Sequence, residues 1–160
     1  MGEKLDDATV ARALAQLSPA PLLVRRIAHQ FTRLMDAELA TQGTSLARFL
    51  VLLAIGADPG IHGSALAAAT LQSPQALGEI ATALEHQGLL RRQAAGRRIT
   101  HQLTDEGRDV VNRATSVLTR LQELVLGGLD ADELGALELS LSTIEERVRQ
   151  IQAGDQAAPA

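Results

Sequence analysis

The apolar positions of this chain fall mostly at helical spacing. From Leu22 to Gln42, Val24, Ile27, Phe31 and Leu34 form one stripe that Glu38 continues, and Gly43 closes the run. Ser45 is the expected N-cap of a second helix, "LARFLVLLAIG", which stops at "ADPG". Two shorter helices follow. One is "GSALAAAT", Gly63 to Thr70. The other begins at Ser73 as N-cap with Pro74 at the first helical position, keeps Leu77, Ile80, Ala81 and Leu84 on one face, and ends at Gly88. The period then changes. Ile99, His101 and Leu103 alternate with polar residues on the far side of Gly96, which predicts a β-hairpin, the only strand signal in the chain. Its turn has neither Asn-Gly nor Asp-Gly. Thr104 caps a long helix running to Leu126, with Asp105 and Glu106 in its first turn, where the helix dipole favours acids. Its apolar positions are Val110, Ala114, Val117, Leu121 and Leu124. After "GGLD", Asp130 opens a last helix in which Leu134, Leu137, Leu141, Ile144, Val148 and Ile151 recur as a heptad stripe.

The order predicts a mostly α fold: a winged helix-turn-helix with a two-stranded wing, flanked by long N- and C-terminal helices. The expected divisions are an N-terminal extension over 1–21 with a short helix capped by Asp7, a helical dimerisation region formed by 22–44 and 105–152, the winged helix-turn-helix over 45–104, and a disordered tail over 153–160. The long terminal helices carry more apolar surface than a domain of this size buries alone, so a symmetric homodimer is expected.

Composition narrows the function. The 160 residues are 46% hydrophobic but only 1% aromatic, so the core is built from Leu, Ala, Val and Ile. The absence of cysteine excludes disulfides, thiolate metal sites and thiol redox sensing. No apolar run reaches the ~20 residues of a membrane span, and the N-terminus is polar, so a cytoplasmic protein with no membrane partner is expected. With no Trp or Tyr, only Phe31 and Phe49 could stack on a base, which argues against a reader of single-stranded nucleic acid. The histidines His29, His62, His86 and His101 show no metal-ligand spacing and are read as structural. Nothing resembles a phosphate loop, a nucleophile elbow or a catalytic carboxylate pair. The chain is therefore not read as an enzyme, and no cofactor is expected.

Charge adds a direction. The formal net charge is −4, yet Arg91, Arg92, Arg97 and Arg98 fall within eight residues around Gly96 with no acid between them. From Thr104 to Ala153 there are ten acids and five arginines. The base thus gathers on the hairpin and the acid on the later helices, an asymmetry suited to docking a polyanion. The competing reading is a solvated hairpin whose arginines pair with Asp105, Glu106 or Asp109.

Three local patterns carry a resemblance. "GADPGIHGSALAAAT" is similar to the turn into the third helix of the MarR family of dimeric transcription regulators. "ALEHQGLLRR" resembles that family's exit from the recognition helix into the wing, and "QLTDEGRDVV" its exit from the wing into the long dimerisation helix. The resemblance covers roughly Leu22 to Ile151. It implies binding of a palindromic double-stranded DNA operator, commonly relieved by a small ligand. It places the Ser73–Gln87 helix in a major groove, with Ser73, Gln75, Gly78, Glu79 and Thr82 as candidate DNA-facing residues, and Arg97 and Arg98 on the wing. It also implies an effector gap near the first long helix, where Arg26, His29 and Arg48 are the candidates for holding a small anion. The chain departs from the family twice. Its wing tip, "AAGRR", lacks the usual Asp-x-Arg pattern. No Lys or Arg occurs between Ile61 and Gln87, where family members often carry a Thr and an Arg near Gly78 and Glu79. The alternative is therefore a dimeric winged-helix interaction protein that has lost direct base readout and acts through a protein partner.

Overall fold

A computed structural model of the chain describes residue 6 and residues 18–95 and 98–155, with the backbone alone at Ala95, Arg98 and Asp155. These residues form six helices and one antiparallel hairpin: α1 (Ala20–Ala40), α2 (Leu46–Ala57), α3 (Gly63–Ala69), α4 (Pro74–His86), β1 (Leu90–Ala95), β2 (Arg98–Leu103), α5 (Asp105–Leu126) and α6 (Ala131–Asp155). The mostly α winged-helix architecture is as expected. The short helix expected after Asp7 lies outside the described residues. The last helix continues to Asp155 and so takes in the first three residues of the expected tail. The chain divides into two compact units, Met1–Leu118 and Thr119–Ala160.

Local chemistry sets the ends of these elements. Ser45 Oγ accepts from the backbone N–H of Arg48 and Ser73 Oγ from that of Ala76, so both serines cap as expected. Gly43 and Gly88 take φ values of +72°, a left-handed conformation that closes α1 and α4 without a Cβ clash. Asp130 and Glu133 form a reciprocal capping box at the start of α6, with both bonds at 2.9 Å.

The core of the first unit lies where α2, α3 and α4 converge on the base of the wing. Val51, Leu52, Ile55, Leu66, Leu84 and Leu90 are fully buried there or nearly so. Each such side chain contributes roughly 1.5–3 kcal/mol of transfer free energy. A second cluster joins α1, α2 and α5 through Leu39, Phe49 and Ala114. Asp36 of α1 reinforces it by accepting from the Leu46 backbone N–H at 2.7 Å.

The "LTDEG" segment closes the wing onto this core. Thr104 Oγ1 donates to the Gly88 carbonyl at 2.7 Å and accepts from the Gly107 N–H at 3.0 Å, while the Thr104 N–H reaches the Leu89 carbonyl at 3.2 Å. A Cβ on Gly107 would lie 2.0 Å from the Leu89 oxygen, so only glycine lets α5 cross the exit of α4 this closely.

Candidate nucleic-acid interface

α4 is amphipathic, and its two faces differ in purpose. Leu77, Ala81 and Leu84 are buried against the core. On the opposite face Gln75, Gly78, Glu79 and Thr82 are exposed, with Ser73 exposed at the cap. Spacings of three and four residues place Gln75, Gly78, Glu79 and Thr82 on one helical stripe. Four of the five DNA-facing candidates on this helix are thus brought together, and Ser73 sits at its cap. Gln75 Nε2 donates to Glu79 Oε1 at 3.3 Å. Around the missing Cβ of Gly78 there is open space, so internal packing does not require glycine there. A mid-helix glycine costs about 0.5–1 kcal/mol relative to alanine.

The wing is an antiparallel ribbon with Leu90 opposite Leu103, Arg92 opposite His101 and Ala95 opposite Arg98. It is tied to the helices along a third edge. His101 N–H donates to the Ile61 carbonyl at 3.2 Å, and the Gly60 N–H donates to the His101 carbonyl at 2.9 Å. The His101 ring is buried with Nδ1 3.1 Å from the Ile61 oxygen, an acceptor, so Nδ1 carries the proton. This is the structural role expected of it.

The arginine cluster splits. Arg92 turns inward. Its Nε donates to Glu85 Oε2 at 2.7 Å, and its backbone N–H donates to Glu85 Oε1 at 3.2 Å. The side-chain hydrogen bond from Arg92 is the main reason the Glu85 carboxyl is held below its ordinary 4.5. Arg91 is exposed and makes no ion pair among the described residues. Arg98 opens β2, with its backbone opposite Ala95, and Arg97 falls outside the described residues. The pairing with acids of the following helix is not seen for Arg91 or Arg92: Asp105 pairs with Arg108 of its own helix. The Glu85–Arg92 latch escapes sequence reading because its partners are seven residues apart across a helix end, outside any periodic pattern.

The three ligand candidates do not converge. Arg26 and His29 line an open depression with Leu22 and Arg25 on α1, and Arg48 does not join them. A wider cleft of about 720 Å³ lies elsewhere, bounded by Leu53, Gly56 and Ala57 of α2, by Arg91, Gln102 and Leu103 of the wing, and by Arg108, Val111 and Asn112 of α5. It holds two guanidinium groups against apolar walls. No side chain named for the effector lines it.

Comparison with known proteins bears on this arrangement. A family model described as MarR family matches residues 42–99, the segment from the end of α1 through the wing tip. The solved MarR family transcription regulator SP03579 superposes with a TM-score of 0.77, covering 94% of this chain and 99% of its own at 18% identity. The chain thus resembles the MarR family over that segment and shares the fold of its solved members. It is also similar to the HTH-type transcriptional repressor Rv2887 of Mycobacterium tuberculosis, at 29% identity over 123 residues, 75% of this chain and 88% of the relative. The structure of that repressor in complex with DNA matches with a TM-score of 0.68 at 25% identity, covering 80% of this chain and 98% of the relative. The MarR fold accounts for the "LTDEG" segment physically: its threonine and glycine let α5 cross the wing base.

Proposed function

We propose that the chain is a MarR-family transcriptional regulator, a homodimer that binds a palindromic double-stranded DNA operator in a sequence-dependent way and is relieved by a small anionic effector. The observation that carries the reading is the polar stripe of Gln75, Gly78, Glu79 and Thr82, with Ser73 exposed at the cap, on a helix whose other face is core. Such a helix suits a major groove, and a basic hairpin beside it suits the flanking phosphates. Arg97 and Arg98 supply the phosphate contacts of the wing, with helix N-termini adding theirs. The related Rv2887 has been solved in complex with DNA, which supports DNA binding by this chain.

Dimerisation is supported by bare apolar surface. In α1, Leu22, Val24, Ile27 and Leu34 are 45–57% exposed, and in α6 Leu137, Leu141, Ile144, Val148 and Ile151 are 40–67% exposed. A second copy of the chain is the expected cover. Effector response is supported by the cleft beside Arg91 and Arg108, whose volume lies within the usual range of small-molecule sites, roughly 300–1,000 Å³. The related repressor Rv2887 has also been solved with salicylic acid. Arg26 and His29 offer a second, shallower anion site on α1.

One observation favours a different reading, in which the protein acts through a protein partner: α4 has no cation and presents Glu79. Anisotropy titration against the DNA upstream of the protein's own gene separates the two. The regulator binds that DNA tightly, with affinity falling steeply as salt rises. Arg97→Ala with Arg98→Ala removes about four phosphate contacts per dimer and flattens the log–log salt slope by roughly 3–4. Binding no tighter than to random duplex supports the protein-partner reading.

A further inference from the structure

We infer that Glu79 is the base-selecting residue of α4 and that it selects cytosine and rejects guanine at the same operator position. The inference rests on the DNA-binding reading above and names what that site reads.

Hydrogen-bonding capacity decides which base edge a side chain can read. A carboxylate accepts and does not donate. In the major groove guanine offers two acceptors, O6 and N7, and thymine an acceptor and a methyl group. Both repel a carboxylate or leave it unsatisfied. Cytosine offers the N4 amino donor with no acceptor beside it on that edge. Adenine offers N6 but sets N7 next to it, an arrangement that suits an amide with one donor and one acceptor. Glu79 therefore matches cytosine best, and the amide of Gln75 matches adenine.

The surroundings of Glu79 keep this preference sharp. Between Ile61 and Gln87 there is no Lys or Arg to neutralise it. On the wing, the Arg92 guanidinium is occupied by Glu85. The only hydrogen bond to the Glu79 side chain among the described residues is the one from Gln75 at 3.3 Å. That bond aligns the two side chains along the stripe and leaves Gln75 one amide N–H and its carbonyl oxygen free. Gly78 stands beside Glu79 with open space at its Cβ position, so a base edge can approach the helix backbone there. An unneutralised carboxylate at a DNA-facing position repels every duplex through the phosphates. The repulsion is offset only where an amino group meets it, so selection proceeds mainly by exclusion.

The test is selection of a randomised duplex pool by the full-length chain and by Glu79→Gln and Glu79→Ala. Anisotropy titration on the selected duplex, and on one with cytosine replaced by guanine in both half-sites, follows. Glu79 is exposed, and matching melting curves verify that the variants fold. The wild type is expected to select one cytosine per half-site and to bind the guanine duplex about 10- to 100-fold more weakly. Glu79→Gln, which can donate as well as accept, binds the two duplexes within about threefold of each other and binds unselected DNA severalfold more tightly. Identical base preferences for wild type and Glu79→Gln at every position would overturn this inference and leave the regulator reading intact. A wild type with no salt-dependent duplex binding overturns both.

Discussion

The winged-helix core and the C-terminal helix α6 are built from the same aliphatic residues and treat them in opposite ways. In the core, Leu52, Ile55, Leu66 and Leu84 lose all contact with solvent. In α6 no residue is buried, and the heptad positions Leu137, Leu141, Ile144, Val148 and Ile151 remain at least 40% exposed. The difference is one of completeness. In the core, three helices and a ribbon meet from different directions and cover each other. The α6 stripe is a seam of period 3.5, a pattern made for a facing helix. Apolar periodicity alone says that a face will be covered; the tertiary structure tells whether the same chain does it.

Three variants test this division. The largest effect is expected at Gly107, where the core closes on itself. In Gly107→Ala the new Cβ falls 2.0 Å from the Leu89 carbonyl oxygen. The backbone must shift, at a cost of about 3 kcal/mol or more. Urea denaturation followed by circular dichroism should show a midpoint well below that of the wild type. A wild-type midpoint would mean that the crossing of α5 over the α4 exit is looser than described.

A smaller loss of stability but a clear change of state is expected from the outer seam. Leu141→Asp with Ile144→Asp puts two charges on the exposed stripe of α6 and leaves the buried clusters of the first unit unaltered. Light scattering on a sizing column should show the wild type as the proposed dimer and the double variant, at the same concentration, as a monomer with secondary structure largely retained. If both migrate alike, the α6 stripe is not the seam.

The smallest effect belongs to the latch between α4 and the wing. Arg92 holds the Glu85 carboxyl below its ordinary 4.5, so the folded chain binds this proton less readily than the unfolded chain. The resulting stabilisation is complete above the ordinary carboxylate range and is lost as the pH falls through the depressed value. The pair is partly exposed and its contribution is correspondingly modest. Melting temperature measured between pH 3 and pH 7 should fall less steeply at the acid end in Glu85→Gln than in the wild type. Parallel curves would show that the latch carries no such linkage.

Much of this molecule was written locally. Ser45, Ser73, Thr104 and Asp130 cap the helices they precede, because a short polar side chain reaches the free N–H groups of the next turn whatever the rest of the chain does. The stripe of α4 was legible for the same reason. A 3.6-residue period that places Leu77, Ala81 and Leu84 on one side places Gln75, Glu79 and Thr82 on the other. The effector candidates were not settled in this way. Arg26 and His29 share a helix face, but Arg48 belongs to another helix, and its distance from them depends on how α1 packs on α2.

What the sequence alone determined is the order of helices and ribbon, their caps, and the gathering of arginines around Gly96, all consequences of neighbours within a few residues. Tertiary structure decided that Arg92 is spent on Glu85, that residue 107 must lack a side chain beneath the Leu89 carbonyl, and that the cleft beside Arg108 lies between α2 and the wing. These depend on segments far apart in the chain being brought within a few ångströms. Local propensity does not encode that distance, because it is fixed only when the whole core packs.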